Sequence, residues 1–222
     1  MYALATTLGI VLAAWLASRQ RPDPRLTWAQ GAAVQIAAAV GAIAGAHLLQ
    51  WPATAWGWTQ ADVHAWQPWA GRTVLGGLIG GWIAVEVAKW RLGVRQPTGD
   101  GFAAPLAVAL ACGRLGCWWA GCCAGVPSAA WCAVPDAHGV VRIPVPLIEA
   151  GFHAAAGGTL LLAARRSWQP GRRLSWYLLA YAGLRLVLEP WREHPPLALG
   201  LSWYQFLALG LAGLCLGRLR AR

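Results

Sequence analysis

A chain of 222 residues in which 58% are hydrophobic and 12% charged departs far from soluble domains, where about a quarter of residues carry charge. The net charge of +10 raises nucleic-acid binding, but the cations fall in short clusters between apolar runs and build no basic face. That pattern excludes a nucleic-acid module and fits loops flanking membrane spans, as do the 16 tryptophans suited to interfacial belts.

Seven apolar runs, each near the ~20 residues that cross a bilayer, predict an all-α polytopic membrane protein. They form one domain over residues 1–222, with no soluble linker and no low-complexity tract. The first run, 2–18, lacks a basic leader and is followed by Arg19 and Arg21, so it reads as a retained span rather than a cleavable signal. The second, 27–49, ends near His47. The third, 71–89, opens on Gly76, Gly77, Gly80 and Gly81 and closes on Glu86, three residues before Lys89, a local ion pair. The fourth, 103–122, carries Arg114, with Cys117, Cys122 and Cys123 at its end. The segment 127–143 shows no helical pattern. The fifth run, 146–164, holds Glu149 in its first turn and His153 one turn later. The sixth, 174–190, holds Arg185 and Glu189, and the i, i+4, i+7 spacing puts Arg192 on the same face. The seventh, 199–217, contains Gln205.

Charge sets the orientation. With seven spans, thirteen of the 18 cations share one side, Arg19, Arg91, Arg165 and Arg218 among them. Arg72, Arg142 and Arg192 lie opposite, and Arg114 and Arg185 fall inside spans. The positive-inside rule then predicts an outer N-terminus and a cytoplasmic C-terminus. In that orientation Arg114, Arg185, Glu189, Glu149, His47 and the glycine turn all reach the outer half of the bilayer. Charged residues at such depth are expensive and mark functional sites by default. Two guanidiniums facing the outer leaflet suit a phosphate, and the anion at that depth is a phospholipid headgroup. Plainer readings compete: an Arg185–Glu189 pair that only joins helices, glycines that only let helices approach, and histidines that only pack.

These residues also carry a resemblance. The run LGGLIG at 75–80 is similar to HGGLxG, and GRLGCWWAGCCAG at 113–125 to GRxGNFxNxExxG. IPVPLIE at 143–149 corresponds to HPxQLYE, YAGLRLVLEPWR at 181–192 reproduces YxxxRxxxExxR, and Gln205 echoes a final-span glutamine. In this order the chain resembles the prolipoprotein diacylglyceryl transferase family of the bacterial inner membrane. The resemblance implies transfer of a diacylglyceryl group from phosphatidylglycerol to a lipobox cysteine thiol, with glycerol phosphate leaving and no cofactor. The partners would be that phospholipid and a prolipoprotein signal peptide or another thiol acceptor.

The family's essential arginines map onto Arg114 and Arg185, with Glu189 orienting Arg185. Gly76, Gly77, Gly113, Gly116, Gly125, Glu149, Arg192 and Gln205 are the expected substrate-binding positions. The departures are specific. The family histidine falls at Leu75, its asparagines at Cys117 and Ala120, and its glutamate at Cys122. In the later motif Ile143, Pro146 and Ile148 replace His, Gln and Tyr. His47 stands where the family tends to have an arginine, at a depth suited to a base.

On the outer, oxidising side, Cys117, Cys122, Cys123 and Cys132 are expected to form a disulfide. Cys132 with Cys122 or Cys123 is the favoured pair, since neighbouring Cα atoms only ~3.8 Å apart are too close. Cys112 and Cys215 read as reduced packing residues. The spacing CxxxxCC is not a standard zinc pattern, so no metal site is expected. Two alternatives remain open: a membrane thiol–disulfide oxidoreductase, with Cys117 one turn from Arg114, and a non-catalytic phospholipid-binding relative.

Overall fold

The computed structural model describes residues 1–20, 24–55, 71–136 and 138–221; Arg21 and Arg222, which entered the charge balance, lie outside the described residues. The apolar runs form α1 (Tyr2–Ser18), α2 (Trp28–Leu48), α4 (Val74–Arg91), α5 (Asp100–Trp119), α6 (Val145–Arg165), α7 (Arg173–Leu188) and α8 (Trp203–Arg220). A short helix, α3 (Trp51–Ala55), follows α2. The segment without helical pattern is a small antiparallel hairpin, β1 (Val134–Pro135) with β2 (Val141–Arg142), in the register Val134↔Arg142. A second hairpin, β3 (Pro196–Ala198) with β4 (Leu201–Ser202), precedes α8. Neither hairpin was expected from the apolar pattern, because both are too short to show alternation.

Among the described residues, the stretches Trp28–Thr54, Asp100–Trp119 and Val145–Arg165 are long and apolar enough to cross a membrane. Apolar side chains on their free faces and on α1 are exposed: Leu4, Leu8 and Ile10 on α1, and Ile36, Val40 and Ile43 on α2. A helix that is apolar all round is at home in lipid. Local chemistry fixes the ends. Thr27 and Gln30 form a reciprocal capping box at the start of α2, and the Arg19 guanidinium sits 5.0 Å from the Trp15 ring centre just after α1.

The chain divides into two compact units. One comprises Met1–Arg21, Pro97–Glu193 and Arg218–Arg222, and so holds α1, α5, α6 and α7. Here α1 lies on α5: a Cβ at Gly9 would come 2.8 Å from the Cys112 Cβ, and one at Gly116 would touch Ala5 at 3.0 Å. Pro105 lacks the N–H that would bond the Gly101 carbonyl, and the Gln20 side chain donates to that carbonyl instead, at 2.9 Å. At the same end Asp100 accepts from the N–H groups of Gly171 (2.6 Å) and Arg173 (3.0 Å), tying the start of α5 to the start of α7.

The other unit comprises Pro22–Gln96 and His194–Gly217. Its seam is α2 against α4, where small residues meet. A Cβ at Gly45 would stand 2.8 Å from the Gly80 Cα, one at Gly76 2.5 Å from the Gly45 carbonyl, and one at Gly41 2.6 Å from the Gly80 carbonyl. This is the small-residue packing by which membrane helices approach closely. Thr73 N–H also donates to the Ala46 carbonyl (3.0 Å), and Lys89 pairs with Glu86 at 3.0 Å.

Candidate active site

Three helices of the first unit each turn one stripe inward. On α5 the buried positions Ala104, Ala107 and Ala111 continue to Arg114. On α6 they run Pro146, Glu149, Ala150, His153, Gly157 and Leu160. On α7 they run Leu178, Tyr181, Ala182, Arg185 and Leu188. The three- and four-residue spacing that would bury an apolar stripe here delivers charges and hydroxyls to one place.

Glu149 is the hub. It has no exposed surface, and each of its oxygens has two polar partners. Oε1 accepts from the Tyr181 hydroxyl and from Arg185 Nη1, both at 3.2 Å. Oε2 pairs with Arg114 Nε at 2.9 Å and accepts from Arg192 Nη2 at 3.2 Å. Arg185 also donates through Nη2 to Glu189 at 3.0 Å, and Arg114 Nη2 donates to the Tyr181 hydroxyl at 3.3 Å. Below them the Tyr177 hydroxyl meets His153 Nδ1 at 2.8 Å, inside a ring cluster with Phe152 and Tyr181.

Three guanidiniums thus face two carboxylates, a formal excess of one positive charge in a buried site. Buried ion pairs persist only when their remaining polar atoms are satisfied. Here the Nε atoms of Arg185 and Arg192 and Nε2 of His153 are buried with no hydrogen-bond partner among the described residues. An excess cation with unspent donors is an anion receptor in waiting.

The loop after α5 completes the wall. Gly125 has no room for a side chain, since a Cβ would lie 2.6 Å from the Ile143 carbonyl and 2.8 Å from that of Trp191. The Val126 N–H then bonds the Trp191 carbonyl at 2.9 Å, which places Arg192 beside this loop. Arg142 buttresses it, donating to the Gly125 carbonyl and pairing with Asp136 and Glu193, both at 3.1 Å. Partial desolvation pushes the Asp136 carboxyl up, but the N–H groups of His138 and Val140 and the Arg142 charge outweigh it and hold it below its usual range.

All six cysteines are free thiols. The staple expected from Cys132 to Cys122 or Cys123 is not formed in this structure: Cys132 packs instead against Ile143, Val145 and Leu188. Cys117, Cys122 and Cys123 stand together, their sulfurs all within 4.8 Å of one another. The Cys122 thiol donates to the Cys117 carbonyl at 3.5 Å. The neighbouring thiols lower the Cys123 thiol against the opposing effect of burial, and the charges of Arg114 and Arg192 add to the pull.

Comparison with known proteins decides the family. A model of the family described as "Prolipoprotein diacylglyceryl transferase" matches residues 1–219. The chain belongs to the prolipoprotein diacylglyceryl transferase family. A relative from Clostridium perfringens (strain 13 / Type A), named phosphatidylglycerol–prolipoprotein diacylglyceryl transferase 2, is 28% identical over 150 residues. That match spans 63% of this chain and 57% of the relative's length. The family is one of membrane-bound transferases.

Of the residues expected to act, Arg114, Arg185, Glu189, Glu149 and Arg192 converge in the first unit of this transferase relative. Gly116 and Gly125 there are packing positions, and Gly113 has nothing within 4 Å of an added Cβ. The rest lie in the second unit. Gly76 faces the α2 backbone, and a Cβ at Gly77 would lie 3.3 Å from the Ala42 carbonyl, so packing accounts for both. Gln205 accepts from Ser202 N–H at 2.9 Å and caps the start of α8. His47 lies half-buried in the last turn of α2, and Leu75, at the family's histidine position, is buried. Tyr177 was not expected, and Tyr181, the first residue of the YxxxRxxxExxR match, had no expected role. Their signal is the four-residue interval 177, 181, 185, which puts both on the face of Arg185.

Proposed function

We propose that this chain transfers a diacylglyceryl group from phosphatidylglycerol to a cysteine thiol of a prolipoprotein; the relative's name gives that donor and a prolipoprotein acceptor for that protein. The acceptor thiolate attacks the glycerol C3 carbon of the donor. A C–S bond forms as the C–O bond to phosphate breaks, glycerol phosphate departs with the electron pair, and a base takes the thiol proton. Arg114 and Arg185 hold the phosphate and neutralise the charge it gains, which is where preorganised donors lower a barrier most. Glu189 holds Arg185 in aim, Arg192 supplies the third guanidinium, and Glu149 keeps the three from repelling one another apart. The observation that carries this reading is the buried excess positive charge with unspent Nε donors on Arg185 and Arg192.

The proposed setting is the bacterial inner membrane, with seven spans, the N-terminus outside and the site opening to the outer leaflet. His153 is the proposed base, because its buried Nε2 has no hydrogen-bond partner among the described residues and its ring lies beside Tyr177 in the same unit; His47, the base expected from the sequence, belongs to the other unit.

The test is complementation of a strain depleted of its own transferase, with transfer of a labelled diacylglyceryl group measured in membranes. Arg114→Ala and Arg185→Ala should each lower transfer by about 10²–10³-fold or more while the protein still inserts. Normal transfer by both variants overturns the phosphate-receptor reading. Normal transfer by His153→Ala rules His153 out as the base.

A further inference from the structure

The three clustered cysteines have no part in that chemistry, and the way the chain gathers them begins with a helix ending. The end of α5 is a Schellman motif: Gly121 takes a left-handed φ of +67°, its N–H bonds the Trp118 carbonyl at 3.0 Å, and the Cys122 N–H bonds the Cys117 carbonyl at 3.1 Å. In that motif the residues that touch are the one after the glycine and the one three before the C-cap residue, Ala120, and here both are cysteines. Cys123 then adopts φ +63°, a left-handed conformation disfavoured for any residue with a Cβ. Consecutive left-handed turns around Cys122 fold the third thiol back onto the first. Strain held in this way, in a loop that also carries the Gly125 contacts, points to a use for the sulfur positions.

We propose that Cys117, Cys122 and Cys123 bind one soft, thiophilic metal ion through three sulfur ligands. The sulfurs all lie within 4.8 Å of one another, and metal–sulfur bonds of about 2.3 Å require sulfur–sulfur separations of roughly 3.8–4.0 Å in tetrahedral or trigonal geometry. Three thiolates without a fourth protein ligand suit trigonal Cu⁺, and they leave Zn²⁺ one open position for water or an anion. Binding displaces the thiol protons to water. The sequence pattern CxxxxCC hides the site because standard zinc spacings presuppose a hairpin or helix, whereas here a Schellman turn brings the ligands together.

The experiment uses the full chain in detergent, purified without oxygen, stripped with chelator and reduced. Zn²⁺ or Cu⁺ is added alone, the protein is desalted, and metal per chain is measured with the sulfur-to-metal absorption. Residue-resolved alkylation mass spectrometry follows. The expected result is one ion per chain for at least one of the two metals, with Cys117, Cys122 and Cys123 protected from alkylation and Cys132 not. Cys123→Ser should weaken binding by at least about 10-fold, the triple serine variant should retain none, and Cys132→Ser should change nothing. No retained metal overturns the proposal, as does undiminished binding by the triple variant or a disulfide within the trio of the anaerobic protein. Because diacylglyceryl transfer is scored separately, failure here leaves the arginine site standing, and the converse.

Discussion

Two seams hold the helices of this protein, and they work by opposite means. Between α2 and α4 the contact is made by removing side chains, so that Gly41, Gly45, Gly76 and Gly80 bring backbones together. Among α5, α6 and α7 the contact is made by filling the seam with ions, three hydrogen bonds and one further ion pair converging on Glu149. The first arrangement leaves nothing unexplained by packing. The second leaves unspent donors and an uncompensated positive charge, which packing does not need. Both seams contain residues of family motifs, so a motif glycine and a motif arginine carry different weight: the glycine is accounted for by its neighbours and the arginine is not.

The sharpest way to break the ionic seam is Glu149→Ala. It strands three guanidiniums around a void and should destabilise the protein by about 3–5 kcal/mol, the range seen when one partner of a buried pair is removed. Thermal unfolding in detergent reads this, and an unchanged midpoint would mean that Glu149 is not the hub. Breaking the glycine seam should cost less. Gly80→Leu forces α2 and α4 apart against rigid backbone and should lose about 1–3 kcal/mol, while Gly31→Ala, with open space around it, should move the same midpoint little. Equal effects from the two would count against close packing. The smallest effect is expected from Tyr181→Phe, which removes one hydroxyl from the Glu149–Arg114 bridge. It should lose about 1 kcal/mol, and it sharpens the comparison by showing whether the hydroxyl only satisfies the ions or also shapes catalysis, read as transfer rate at fixed stability.

The helices were legible because their signal is composition over a long window. The first apolar run coincides with α1, and the others differ from their helices by a few residues at the ends. Arg114, Arg185 and Glu189 were legible because charge in an apolar run is conspicuous by its expense. Glu149 as the common acceptor was not, since the number of partners a carboxylate gathers depends on three helices at once. Tyr177 was hidden, and the role of Tyr181 with it, because tyrosine in an apolar helix looks interfacial until its hydroxyl has a partner. The expected Cys132 staple followed from compartment and spacing, and neither carries the left-handed turns at Gly121 and Cys123 that gather the thiols elsewhere.

The Asp100 carboxylate, far from the arginines along α5, has a consequence for how this chain tolerates change in length. It fixes the beginnings of α5 and α7 to each other, and the Glu149 bridge fixes both again where Arg114 and Arg185 emerge. Each helix between its two attachments is therefore a measured rod, about 21 Å from Asp100 to Arg114 and about 18 Å from Arg173 to Arg185 at 1.5 Å per residue. One inserted residue would advance an arginine by about 1.5 Å and swing it by about 100° off the seam. Substitution within these stretches is a matter of volume and polarity, whereas insertion or deletion there dismantles the receptor even when every one of its residues is retained.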